Sequence, residues 1–312
     1  MGARTGFSSP VLLQISANIR AEIRRKIKVT EIFISRVAPP PALDEPAYWF
    51  VFSGGRLLVA PRELQVELPQ ALTLAHVGIT PLRTQYLGLL RGRHCFSAEV
   101  GSESPPPEGM SWFGLRRLFG QVDDAEFVLA GRALQIVEWD RTHQFCGTCG
   151  TPTATRENER VRVCPACGHS VYPRLAPAVM VLIRDGTRLL LARSARFPPN
   201  MYSALAGFVE PGETIEECIA REVLEEVGLQ VKSLRYFRSQ PWPFPHSLMI
   251  AFFADYAGGD IVPQPEEIED AQWFDVDALP GLPMPISISR WLIDAAITEI
   301  RAEIRGESRA AS

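Results

Sequence analysis

The chain has 312 residues, 46% of them hydrophobic, which exceeds one typical domain and can fill more than one core. Its net charge of −4 argues against a general polyanion-binding surface, and no apolar run approaches the length of a membrane span. Four of the six cysteines sit in two tight pairs without a secretion signal, which favours metal over disulfides, a reducing compartment, and hence the cytoplasm.

The start of the chain has two readings. Arg4, Arg20, Arg24, Arg25 and Lys26 surround only one acid, Glu22, as in an organelle transit peptide. Ile15, Ile19, Ile23 and Ile27 instead fit a helix packed on its own domain, which is the preferred reading. Gly2 lacks the downstream Ser or Thr of a myristoylation signal, and the end AAS is no peroxisomal address.

Residues 1–140 read as an N-terminal α+β domain without a motif for chemistry. Tyr48–Phe52 and Leu57–Val59 around Ser53-Gly54-Gly55 predict a β-hairpin, and Gln85–Leu90 another strand. Pro39–Pro41 and Pro105–Pro107 mark loops; Met110–Phe119 and Ala125–Trp139 read as helical or mixed segments. Cys95 here, and Cys218 further on, read as inert packing residues.

Residues 141–173 form a compact unit of two CxxC turns. Cys146-Gly-Thr-Cys149-Gly and Cys164-Pro-Ala-Cys167-Gly are separated by fourteen residues, and together present four thiolates to one tetrahedral Zn²⁺. All four positions being filled, the site is structural, as in a zinc ribbon. Arg156, Arg160 and Arg162 are interspersed with Glu157 and Glu159, so no dense basic cluster marks a nucleic-acid ribbon. His143 and His169 read as solvated side chains rather than ligands.

Residues 174–312 predict a mixed sheet sandwiched by helices, making the whole chain α+β / α/β. Ala178–Ile183 and Arg188–Arg193 form a hairpin through Asp185-Gly186; Ser233–Ser239, Leu248–Tyr256 and Ala271–Phe274 are further strands, and Ile286–Ile304 is a closing amphipathic helix. Between them runs GFVEPGETIEECIAREVLEEVGL, Gly207 to Leu229. Thr214 and Glu217 make a capping box, so a helix begins near Ile215, and Gly228 stops it. Ile215, Ile219, Val223 and Val227 form its buried stripe, while Glu222 and Glu226 project within roughly 20° of Ile215 and Glu225 lies beside them. Carboxylates aimed inward repel one another and lose hydration unless a cation neutralises them, and all-oxygen ligands suit Mg²⁺ or Mn²⁺.

Gly207, Glu213, Arg221-Glu222-Val223, Glu225-Glu226 and Gly228-Leu229 stand at the spacing of the Nudix box, and the stretch resembles that hydrolase family without a departure. The resemblance implies catalysis and metal binding by Glu222, Glu225 and Glu226, with Arg221 and Glu213 paired to hold the loop against the helix. Downstream, Ser239-Gln240-Pro241-Trp242-Pro243-Phe244-Pro245-His246-Ser247 predicts an extended, proline-stiffened loop offering Trp242 and Phe244 to planar rings and Gln240 and Ser247 to hydrogen bonds. This resembles the SQPWPFPxS signature of NADH pyrophosphatases, which also carry a zinc ribbon.

That resemblance implies a homodimer that splits NADH or NAD⁺ into nicotinamide mononucleotide and AMP, and in bacterial members removes NAD caps from RNA. It implies metal held by Glu222, Glu226 and Glu267 with the carbonyl of Ala206, Glu266 competing with Glu267. It makes Phe208 and Tyr172 the aromatic pair around a base, Tyr172 reaching from the partner subunit. Glu159, Arg117 and Ser289 are further implied contacts, with a plain surface role as the alternative for each. The box alone also admits an ADP-ribose or dinucleoside polyphosphate hydrolase, and the ribbon admits a nucleic-acid-binding regulator with a Nudix sensor domain.

Overall fold

The predicted hairpin forms where two glycines at φ 54° and 78°, Gly54 and Gly55, let the chain reverse. The computed structural model describes residues 33–63 and 65–306, in two units. The first runs to Arg174 and also includes Pro243–His246; the second comprises Leu175–Trp242 and the chain from Ser247 on. The N-terminal segment bearing Ile15, Ile19, Ile23 and Ile27 lies outside the described residues.

In the first unit the strands are β1 (Phe33–Ser35), β2 (Ala47–Ser53), β3 (Arg56–Pro61), β4 (Val66–Glu67), β5 (Gln70–Ala71), β6 (Arg83–Leu90), β7 (Arg93–Glu99) and β8 (Ser111–Gly114). They order as β1-β6-β7-β2-β3-β4, with β5 on β2 and β8 on β3. Helix α1 (Asp124–Thr142), capped by Asp123, packs Leu129, Ala133 and Val137 into one core with Phe50, Phe52, Leu87 and Leu90. The segment Met110–Phe119, expected as helical or mixed, is β8 followed by a 3₁₀ turn at Leu115–Leu118.

The cysteine-bearing part follows α1 as a small sheet of β9 (Ala154–Thr155), β10 (Arg162–Val163) and β11 (Ser170–Val171). Its two turns are built alike. Gly150 and Gly168, at φ 73° and 76°, donate their N–H groups to the carbonyls of Cys146 and Cys164.

The second unit has β12 (Ala176–Asp185), β13 (Arg188–Arg193), β14 (Leu205–Phe208), α2 (Ile215–Val227), β15 (Gln230–Trp242), β16 (Ser247–Gly258), β17 (Asp270–Asp275) and α3 (Ile288–Ile304). Its sheet orders as β15-β16-β12-β13-β17, with β14 on β12. Strand β12 is apolar and buried from Ala178 to Ile183 because both faces are covered there. Val179, Val181 and Ile183 meet Ile219, Val223 and Val227 of α2; Met180 and Leu182 meet Leu292, Ile293 and Ala296 of α3.

The two units share a strand plan. In each, the first long strand runs parallel to the last of the meander (β2 with β7, β12 with β16) and forms a hairpin with the next (β3, β13). That second strand pairs β8 or β17, and β5 or β14 pairs the first. They differ at one place. Between β14 and β15 stands the 13-residue helix α2, whereas between β5 and β6 there is only a 3₁₀ turn, Leu74–Val77, without an acid.

Candidate active site

The capping box predicted from Thr214 and Glu217 is formed: Thr214 Oγ1 accepts from Glu217 N at 3.2 Å, and Thr214 N donates to Glu217 Oε2 at 2.7 Å. Gly228 closes α2 in the left-handed conformation at φ 73°. With both ends set, the register of the acidic side chains on the helix is set too.

Arg221 is the hub. Its Nε and Nη2 fork onto Glu213 at 3.0 and 2.7 Å, Nη2 also reaches the Phe208 carbonyl at 3.0 Å, and Nη1 touches Glu222 at 2.9 Å and Glu225 at 3.0 Å. The guanidinium holds Glu213 down to about 2, so that loop carboxylate is ionised at neutral pH. One cation thereby joins the loop, the end of β14 and two helix glutamates.

The three helix glutamates occupy different environments. Glu225 is exposed and bound by Arg221. Glu222 is half-buried, its carboxyl raised by loss of water against the opposing pull of Arg221. Glu226 is 5% exposed and pushed up to about 8, first by burial and then by the charges of Glu222, Glu267 and Glu225. Its Oε2 is buried and has no hydrogen-bond partner.

Glu267 comes from a turn tied to the end of α2, since Val262 N and Gln264 N donate to the carbonyls of Val227 and Glu226. Its charge acts on both Glu222 and Glu226, whereas Glu266 contributes to neither, which favours Glu267 in the competition between them. Gly207 lies beneath the cluster: a Cβ there would stand 1.8 Å from Cδ of Glu222. A buried oxygen without a donor, facing three like charges across a glycine floor, fits a divalent cation, the all-oxygen chemistry being that of a hard ion.

The four cysteines of the first unit also meet. Sγ separations of 3.6 Å (Cys146–Cys167), 3.5 Å (Cys149–Cys164) and 3.6 Å (Cys149–Cys167) lie close to the roughly 3.8 Å edge of a tetrahedron with Zn–S near 2.3 Å. Four thiols at one point fit a closed structural zinc site. His143 is not simply solvated; its Nδ1 lies 2.8 Å from the Trp139 carbonyl, outside the cluster. Cys95 and Cys218 are buried, and burial pushes each thiol up to about 12, as suits packing residues.

The signature loop departs from expectation. Ser239–Trp242 is the end of β15, in register with Ile250, Met249, Leu248 and Ser247; Pro241 is tolerated because β15 is an edge strand. Gln240 is spent on α3, donating to the Ile286 carbonyl and accepting from Ile288 N, both at 2.8 Å, and Ser247 is buried. Pro243–His246 belongs to the first unit, where Pro243 packs on Gly131 and Phe244 on the core, with the Arg116 guanidinium 4.2 Å from its ring. Phe244 is therefore half-buried in packing and also lines a cleft. Beside it opens a cleft of about 490 Å³ lined by Pro245, Arg116, Arg117 and Glu138.

The remaining predicted contacts divide between the units. Phe208, 58% exposed, and Ala206 lie on β14 of the second. Tyr172, 52% exposed, is in the first unit, where its hydroxyl donates to Glu159 at 2.8 Å. Ser289 is 1% exposed and engaged with Ser203 Oγ at 2.8 Å and Ala204 N at 3.2 Å, so it ties α3 to the chain entering β14 and presents no surface to a ligand. Arg162, read from sequence as one of three interspersed arginines, is instead a buried partner of Asp140, joined by Gln144 and Thr153. Its only sequence signal is the apolar company of Val161 and Val163.

A mixed sheet between two helices, one of them carrying this glutamate cluster, defines a Nudix domain. Family models agree: the NUDIX domain matches residues 174–293, the NADH pyrophosphatase zinc ribbon domain 141–172, and the NADH pyrophosphatase-like rudimentary NUDIX domain 46–139. The last match accounts for the shared strand plan. A protein of Chromobacterium violaceum named NAD-capped RNA hydrolase NudC is 50% identical over 261 residues, covering 84% of this chain and 96% of its own. Proteins of the same name from Deinococcus radiodurans and Pseudomonas aeruginosa are 47% and 55% identical, covering 86% and 69% of this chain and 93% and 77% of theirs. The chain belongs to the NADH pyrophosphatase family of Nudix proteins, with its rudimentary Nudix domain, zinc ribbon and Nudix domain in that order.

Proposed function

We propose that the protein hydrolyses the diphosphate of NADH or NAD⁺ to nicotinamide mononucleotide and AMP, and removes the same group from NAD-capped RNA. The observation that carries this reading is the buried, donorless Oε2 of Glu226 beside Glu222 and Glu267, in a chain that matches two proteins named NAD-capped RNA hydrolase over 96% and 93% of their length.

Glu222, Glu226, Glu267 and the Ala206 carbonyl would hold Mg²⁺ or Mn²⁺. When bound, such an ion supplies neutralising charge at the diphosphate and acidifies a water. Arg221 keeps Glu213, Glu222 and Glu225 in place through the contacts described. Among the described residues Glu225 has Arg221 as its ion-pair partner, and its second oxygen would take the proton as water adds to phosphorus and the P–O–P bridge breaks toward the leaving nucleotide. Phe208 would stack on a base, and the partner subunit's Tyr172, steadied by Glu159, would close over it in a homodimer. Arg117 would meet a phosphate.

Product analysis after incubation with NADH, NAD-capped RNA and ADP-ribose, each with Mg²⁺ or Mn²⁺, tests the proposal. The expected result is reduced nicotinamide mononucleotide plus AMP from NADH and monophosphate-ended RNA from the capped substrate. Preferential cleavage of ADP-ribose would move the protein to that substrate, and binding without cleavage would make it a sensor.

A further inference from the structure

Around the edge strand β1 of the first unit stand three arginines with, among the described residues, no acid within ion-pair distance of them. Arg132 of α1 places its guanidinium 5.0 Å over the ring of Phe33. Arg160, from the cysteine-bearing part, reaches the same edge, where its Nη2 donates to the carbonyls of Arg36 at 3.1 Å and Tyr86 at 3.0 Å. The Arg36 side chain is exposed at the end of β1, three positions or about 10 Å along the strand from Phe33.

Ion pairing divides the arginines of this unit, and these three belong, with Arg56, Arg93, Arg117 and Arg174, to those without a carboxylate partner among the described residues. Arg62, Arg83, Arg91, Arg141 and Arg162 each have a carboxylate within ion-pair distance. Arg36, Arg132 and Arg160 have none among the described residues. Nη1 of Arg160 is buried without an acceptor, and so is Nε2 of Gln135, one turn along α1 from Arg132. Loss of water lowers the affinity of Arg132 and Arg160 for their protons, and the charge of Arg132 lowers that of Arg160 further. Gathered, partly desolvated cations without a counter-charge are destabilising alone and become favourable when an anion joins them.

We propose that Arg36, Arg132 and Arg160 form a binding track for the phosphodiester groups of an RNA chain, with the exposed Arg36 and Arg132 making the contacts. Arg160, fixed behind them by two carbonyls, adds positive potential and cannot swing away. A diester suits the place because guanidiniums spread along about 10 Å of strand match successive phosphates better than one small anion. The track also lies one residue from Glu159, which holds Tyr172. This rests on the capped-RNA reading above, in which Tyr172 closes over a base of the cap.

The test uses the full-length protein with the double variant Arg36→Ala/Arg132→Ala, and separately Arg160→Gln. Fluorescence anisotropy with an uncapped single-stranded RNA of about ten nucleotides reads binding independently of catalysis. Loss of two phosphate contacts should weaken RNA binding on the order of tenfold at low salt and flatten the salt dependence by about 1.4 in log–log slope, while the rate on NADH stays unchanged. Equal RNA affinity and slope in variant and parent would overturn the track. So would RNA binding displaced equally well, at equal phosphate, by inorganic phosphate or a mononucleotide, which would mark a small-anion site. Because NADH turnover is read separately, absence of NADH cleavage by the parent protein would refute the enzymatic reading and leave the RNA measurement standing.

Discussion

Glu226 is neutral by preference in the metal-free protein, and this has a measurable sign. Its folded value of about 8 lies above the ordinary 4.5 of a glutamate. The stability it contributes is fully present below about pH 4.5 and is lost as pH rises through 8, because only the unfolded chain ionises it readily. Metal binding needs the carboxylate, so Mn²⁺ affinity should climb over the same interval. Glu226→Gln removes the repulsion: the metal-free variant at pH 8 should melt a few degrees above the parent, while turnover falls on the order of 100-fold or more. Thermal melts in chelator at pH 5 and pH 8 check the first half; an unaltered difference between the two pH values in the variant would contradict the assignment. Gly207→Ala tests the floor of the site from the other side. The new methyl must displace the Glu222 carboxyl, for which 1.8 Å leaves no room, so Mn²⁺ affinity should drop at least about tenfold while stability changes by about 1–3 kcal/mol. Electron paramagnetic resonance of Mn²⁺ reads that loss directly.

At the scale of elements, the junction between α1 and the cysteine-bearing sheet holds a buried ion pair. Asp140 is 3% exposed and Arg162 7%. Asp140 also accepts from Gln85 at 3.1 Å, and Arg162 donates to the Thr153 carbonyl at 2.9 Å, so each charge is hydrogen-bonded on more than one side. Asp140→Ala leaves a buried guanidinium alone and should cost about 3–5 kcal/mol by denaturant melts, whereas Asp140→Leu with Arg162→Met should recover most of it. This junction also marks what sequence could and could not tell. The box helix was legible down to its caps because capping and the 3.6-residue repeat are local: Thr214 needs only Glu217, and Arg221 only Glu213, Glu222 and Glu225. Asp140 and Arg162 stand 22 residues apart, and Gln240 finds its partners 46 and 48 residues on; nothing local announces such pairs. Phe244 meets the same limit, since an aromatic between prolines looks alike whether it faces a cleft, a core or, as here, both. The rudimentary domain was invisible because its relation to the second unit lies in strand pairing, carried by apolar alternation that many unrelated sequences share.

For the whole molecule, the two metal sites should separate by their effects. The four-thiolate cluster is assembled from two turns 15 to 21 residues apart, and zinc there converts loop closure into folding free energy. The carboxylate site stands on α2, whose caps and core contacts are complete without an ion. Removing zinc should therefore loosen β9–β11, release the Arg162 and Asp140 pair that depends on β10, and lower the melting temperature of the first unit. Removing Mg²⁺ or Mn²⁺ should abolish turnover and leave the fold intact, even raising stability below pH 5 relative to pH 8 as Glu226 regains its proton. Calorimetry with a zinc-selective chelator, against calorimetry with the catalytic ion alone withheld, compares the two. If zinc removal shifted no transition, the cysteine cluster would be no structural site. If withholding the other ion unfolded the second unit, α2 would be held by metal and not by Thr214, Arg221 and its apolar stripe.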